Sequence, residues 1–132
     1  MLDRPARPVV VWAPVIAWAG LVFVLSSQPD LRFVPNDLLD FVVRKVGHAG
    51  VFGILALLLW RAVSTTTSLH EPWAWALALT VIYAVTDELH QGVVSGRHAS
   101  PVDVGIDALG AVIAVAVAGL VRTRRCRAGA NS

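Results

Sequence analysis

Cysteine occurs once in 132 residues, as Cys126 near the end, so the chain has no disulfide and no cysteine metal site. Charge is scarce too: Asp, Glu, Lys and Arg make up 15% against 56% hydrophobic residues, and mean hydropathy is +0.66. Soluble domains do not have this balance, whereas membrane proteins do. No helix-turn-helix, RNP or zinc-finger pattern is present, and the basic residues flank apolar runs. The sequence pI near 9.3 therefore reads as membrane topology, and no nucleic-acid partner is expected. Metalloprotease and lipid-phosphatase signatures are missing, as is any internal repeat. These gaps leave no ready-made reaction or transporter halves to point to, and no cofactor is assigned.

What is present is four apolar stretches. Val9–Leu25 is about long enough to cross a hydrocarbon core of roughly 30 Å. Arg4, Arg7 and Ser26-Ser27 give it some likeness to a signal peptide, but the run is long for one, no A-x-A site follows, and further spans come after it. Pro14 is expected to kink this helix and Ser26 to Pro29 to end it. Leu38 to Val43 predicts a short interfacial helix with Asn36 as N-cap. Spans two, three and four are expected at Val46–Trp60, Trp73–Leu89 and Val102–Val121. The fold class that follows is all-α, an integral-membrane four-helix bundle. Residues 1–125 form its transmembrane domain and 126–132 a short cytoplasmic tail.

Orientation comes from charge. With four spans both termini share one side, and that side holds Arg4, Arg7, Arg61, Arg122, Arg124, Arg125 and Arg127, seven of the eleven Lys and Arg. The other side holds Arg32, Arg44, Lys45 and Arg97. The expected topology is N-in, C-in in a cell membrane.

In such a bundle the end of span one, the start of two, the end of three and the start of four lie at one rim. All the polar motifs fall at those four places: Ser26 to Pro29; Lys45 with His48; Asp87, Glu88, His90 and Gln91; and Arg97, Asp103 and Asp107. Ionisable residues at membrane depth point to function, so these nine from Lys45 to Asp107 are the candidate ligand-binding set. His70 and His98 read as solvated loop residues. On span two, Ala49-x-x-x-Gly53 makes a small surface for close helix approach; on span four, Asp103, Asp107, Gly110, Ala114 and Ala118 make a stripe that is acidic above and small below.

Four readings compete on residues alone. The acids and Lys45 and Arg97 form a structural clasp; Asp87, Glu88, His48 and His90 hold a metal; Arg97, Lys45 and His48 cradle an anion; or the chain is part of a transporter. The chain also resembles the VanZ-like family of bacterial membrane proteins, whose namesake is associated with resistance to the glycopeptide teicoplanin. The resemblance rests on Ser26-Ser27-Gln28-Pro29, Lys45-x-x-His48, Asp87-Glu88-x-x-Gln91, and Gly96-Arg97 followed by Asp103 and Gly110. Asp107 stands where that family often has Asn, and Phe52 where an aromatic hydroxyl is common. The resemblance implies a cell-envelope role. The mixed charge of the rim supports an outer-rim site for an anionic lipid headgroup, a lipid-linked cell-wall precursor or an amphiphilic drug. The alternative is a metal-dependent enzyme acting on lipid-linked phosphate, with Asp87, Glu88, Asp103 and Asp107 as metal ligands and Arg97 on the phosphate.

Overall fold

The computed structural model describes residues 7–28, 32–94, 96 and 98–130. Four helices carry the chain: α1 (Pro8–Ser26), α2 (Asp37–Thr66), α3 (Pro72–Val93) and α4 (Pro101–Ala130). Pro8, Pro72 and Pro101 each stand in a first turn, where a missing N–H costs nothing and the fixed φ suits the helix. Pro14 is accommodated inside α1 without ending it. At about 1.5 Å per residue, α1 and α3 are about 28 and 33 Å long and α2 and α4 about 45 Å. By length and composition α1, α2 and α4 can each cross a membrane. Helix α3 has the length, but Trp73, Trp75, Asp87 and Glu88 dilute its apolarity.

Two segments differ from the sequence expectation. Residues 37–44 form no separate interfacial helix; they are the first turns of α2, because no Gly or Pro lies between Asp37 and Val46 to interrupt it. Asn36 does cap it, its Oδ1 accepting the Leu39 amide at 3.0 Å. Similarly, α4 does not stop at Val121 but continues through its arginines to Ala130, since no Gly or Pro lies between Val121 and Gly129.

Cross-helix contacts fix the directions. The Trp12 indole donates to Thr66 Oγ1 at 3.1 Å and the Trp18 indole to the Val51 carbonyl at 2.9 Å, so α1 is antiparallel to α2. Tyr83 Oη donates to the Ala19 carbonyl at 2.5 Å and Ser26 Oγ to Asp87 Oδ2 at 2.8 Å, so α1 and α3 run the same way. Helices α2 and α4 lie parallel and nearly touch: a Cβ on Gly110 would sit 2.2 Å from the Ala49 carbonyl oxygen, and one on Gly53 would sit 3.2 Å from Ala114 Cβ. The Ala49/Gly53 surface and the Gly110/Ala114 stripe are therefore the two halves of one interface.

The core is thin. Val11, Val15 and Val22 from α1 meet Phe52, Leu55 and Leu59 from α2 and Ala76 and Ala84 from α3, while Val9, Ile16, Leu89, Val93 and Leu120 remain more than half exposed. An exterior that apolar suits lipid rather than water.

Candidate functional site

The rim where α1 and α3 end and α2 and α4 begin holds a cavity of about 470 Å³. Its walls are apolar, with Val22 and Leu25 from α1, Phe33 from the connecting loop, Phe41 and Val51 from α2 and Ile106 from α4. Its polar lining is Ser26, Gln28, Arg44, Lys45, His48, Gln91, Asp103 and Asp107. Residues from both ends of the sequence thus meet because the bundle alternates direction.

Each polar side chain has a defined mooring. Lys45 Nζ bonds Asp103 Oδ1 and lies 5.3 Å from the Phe41 ring centroid. Arg44 Nε is 3.1 Å from Asp40 Oδ2, one helical turn back. A single ion pair each leaves N–H groups on both cations for a ligand, since an ammonium has three donors and a guanidinium five. His48 Nδ1 is 3.4 Å from Asp107 Oδ1, close enough for ion pairing but too poorly aligned for a hydrogen bond. His48 also stacks toward Phe52, and Phe52 toward Tyr83, with centroids 6.2 and 6.0 Å apart.

Behind the cavity, Asp87 Oδ2 accepts from Ser26 Oγ at 2.8 Å and from Gln91 Nε2 at 2.9 Å. Asp87 is buried and supports two lining residues without lining the cavity itself. Glu88 faces away: its Oε1 accepts the Ser100 amide at 2.6 Å, tying the end of α3 to the residue just before α4. His90 lies outside the cavity as well, stacked on Phe23 with centroids 4.4 Å apart. Its Nε2 is 3.0 Å from Ser27 Oγ, whose one proton already goes to the Phe23 carbonyl, so His90 is the donor.

Of the nine residues singled out from sequence, Lys45, His48, Gln91, Asp103 and Asp107 face the cavity. Asp87, Glu88 and His90 buttress its surroundings, and Arg97 lies outside the described residues. Lys45 pairs with Asp103. Among the described residues no three His, Cys, Asp or Glu side chains come together closely enough to hold a metal ion.

Asp40 was not singled out, yet it is 1% exposed. Its Oδ1 accepts the amides of Phe33 and Val34 at 2.7 and 3.2 Å, which folds the loop so that Phe33 closes over the cavity. The signal was there: an acid flanked by Leu39 and Phe41, four residues before Arg44, is a spacing that pairs on one helix face.

Three buried carboxylate oxygens, Asp87 Oδ1, Glu88 Oε2 and Asp107 Oδ1, have no hydrogen-bond partner among the described residues. Buried polar atoms are nearly always satisfied, and of these three residues only Asp107 also lines the cavity.

The chain matches the model of the VanZ/LLP1 family over residues 11–122. No curated protein and no solved structure matches it.

Proposed function

We propose, from the premise that this chain belongs to the VanZ/LLP1 family, that it crosses the bacterial cell membrane four times with both termini in the cytoplasm. We infer that its rim cavity binds an amphiphile of the cell envelope at the outer face. The observation that carries this reading is the cavity itself. A space of about 470 Å³ is lined both by aliphatic and phenyl groups and by Arg44, Lys45, His48 and Asp107, the two chemistries an amphiphile combines. The spare donors of Arg44 and Lys45 suit a phosphate or carboxylate, and the buried Asp107 Oδ1 suits a hydroxyl or ammonium on the same headgroup. Anionic lipid headgroups, lipid-linked cell-wall precursors and amphiphilic glycopeptide drugs share that chemistry. A link to glycopeptide resistance belongs to the same proposal.

The reading of a metal-dependent enzyme on lipid-linked phosphate is supported less well. Asp87, Glu88, Asp103 and Asp107 would have to converge, but Asp103 is engaged by Lys45, Glu88 by the Ser100 amide, and Asp87 by Ser26 and Gln91.

Filling the cavity tests the proposal without touching its charges. Ile106 lines the wall and is half-buried, so Ile106→Trp occupies the space while leaving every ion pair in place. The expected result is loss of the amphiphile that copurifies with the full chain, read by native mass spectrometry, with helix content unchanged. The same species bound at the same occupancy would overturn the reading.

A further inference from the structure

A second cleft lies at the other end of the bundle, between the C-terminal halves of α2 and α4, and does not depend on the rim cavity. From His48 to Arg61 is thirteen residues of helix, about 20 Å along the axis. The cleft has a volume of about 310 Å³ and is formed by Leu57, Trp60 and Arg61 on α2 and Ala118 and Arg122 on α4, with Ser64 and Thr65 at its edge.

We propose that this cleft is a binding site for the headgroup of an anionic phospholipid, with Arg61 and Arg122 closing on the phosphate and Trp60 as the shelf beneath it.

Three observations converge. First, depth: the apolar stretch of α2 ends at Trp60 and that of α4 at Val121, so the next residue of each parallel helix is an arginine at the same level. Lipid phosphates occupy that level when the apolar stretches fill the hydrocarbon core. Second, charge: the cleft has two guanidiniums and no carboxylate in its lining, and neither arginine makes an ion pair among the described residues. The described acids gather at the opposite rim, as Asp37, Asp40, Asp87, Glu88, Asp103 and Asp107. Glu71 alone sits at this end, where it accepts the Trp73 indole N–H. Arginines that only mark topology point singly into the headgroup layer, whereas these two approach one cleft from two helices.

Third, positioning: the Arg122 guanidinium lies 5.1 Å over the Trp60 ring, an arrangement that orients the planar group. The ring lies against α4 beside Gly119, where a Cβ would meet its edge at van der Waals distance, 3.9 Å. The hydroxyls of Ser64 and Thr65 donate back to the carbonyls of Trp60 and Arg61 at 2.6 and 2.8 Å. Phosphate oxygens therefore meet guanidinium donors, while the hydroxyl lone pairs remain for a polyol on the headgroup. Leu57 and Ala118 continue the cleft toward the membrane interior and give the first acyl carbons an apolar path.

The test uses the full chain in detergent, titrated with phosphatidylglycerol, with phosphatidylcholine, and with inorganic phosphate alone, and followed by native mass spectrometry. The expected result is one tightly retained phosphatidylglycerol in excess of phosphatidylcholine. Arg61→Gln with Arg122→Gln lowers that preference about tenfold or more, consistent with loss of charge-assisted bonds. Arg124→Gln, an exposed arginine of α4 outside the cleft, leaves it unchanged, and repeating the titration with the rim cavity filled by Ile106→Trp separates lipid held here from lipid held at the rim. Both arginines are exposed, so the double variant keeps its helix content; Arg122→Lys, which keeps charge but loses the planar fork, lowers the preference less. Equal retention of the two lipids, full retention by the double variant, or displacement by millimolar inorganic phosphate would each overturn the proposal.

Discussion

Asp87 is a buried carboxylate whose partners are a hydroxyl and an amide, not a cation, among the described residues. Its Oδ2 can be replaced by the amide oxygen of Asn without losing either hydrogen bond, while the change removes a desolvated charge. Asp87→Asn is therefore expected to unfold like the parent in mixed micelles, whereas Asp87→Ala strands two buried donors and costs about 1–3 kcal/mol. An Asn variant as unstable as the Ala variant would show that the charge itself is required. Asp40 acts differently, through the loop it holds. Removing it frees the Phe33 and Val34 amides and the Arg44 guanidinium, so Asp40→Ala is expected to speed tryptic cleavage after Arg32 and weaken ligand retention, although Asp40 does not line the cavity. Unchanged cleavage and unchanged retention would detach the loop from the site. Lys45 and His48 were readable as one helical face from their spacing alone. The role of Asp40 was not, because its partners are backbone amides that appear in no sequence pattern.

Helices α2 and α4 meet through glycine and alanine, and the contact at Gly110 leaves no room for a methyl group. The atoms that a Cβ would meet belong to the Ala49 backbone, at 2.2 Å for its oxygen, so no side chain can turn aside. Gly110→Ala is expected to force the helices apart and destabilise the bundle by about 1–3 kcal/mol, the usual range for overpacking. Gly105→Ala on the same helix meets nothing within 4 Å and is expected to cost nothing; the comparison by unfolding in mixed micelles isolates the close approach from glycine's backbone freedom. Equal stability of the two variants would mean that the interface yields. The small-residue surfaces were legible because both repeat at helical spacing; their mutual contact was not, because chain order does not say which helix each surface faces. The start of α2 was less legible: its exposed Leu38, Phe41 and Val42 look like a helix lying on a membrane surface, yet the same residues continue a helix that nothing interrupts.

At the scale of the whole molecule, alternation of direction turns residues spread over some eighty positions into one rim. Ser26–Asp87 and His48–Asp107 each join different helices at that rim, and Glu88–Ser100 joins α3 to the loop that leads into α4. Their convergence could be foreseen from chain order, but not which side chains would face the cavity and which would brace it, because that depends on the rotation of each helix about its axis. Orientation in the membrane rests on a different quantity, the distribution of Lys and Arg. Seven of eleven lie on the side of the termini, and a majority of basic residues on one side favours the cytoplasm for that side. The native Cys126 is exposed near the end of α4 and is the chain's one thiol, so it reports its own side directly. A membrane-impermeant maleimide added to intact cells is expected to leave Cys126 unlabelled until the cells are opened. On a Cys126→Ser background, His98→Cys, in the exposed loop between α3 and α4, is expected to react from outside, and Ser68→Cys, between α2 and α3, to be protected like Cys126. Labelling of Cys126 and Ser68→Cys from outside with protection of His98→Cys would invert the topology: the rim cavity would then face the cytoplasm and the arginine cleft the outer leaflet. Reaction of positions 68 and 98 from the same side would instead show that α3 does not cross the membrane, a result that the polar end of that helix makes worth testing first.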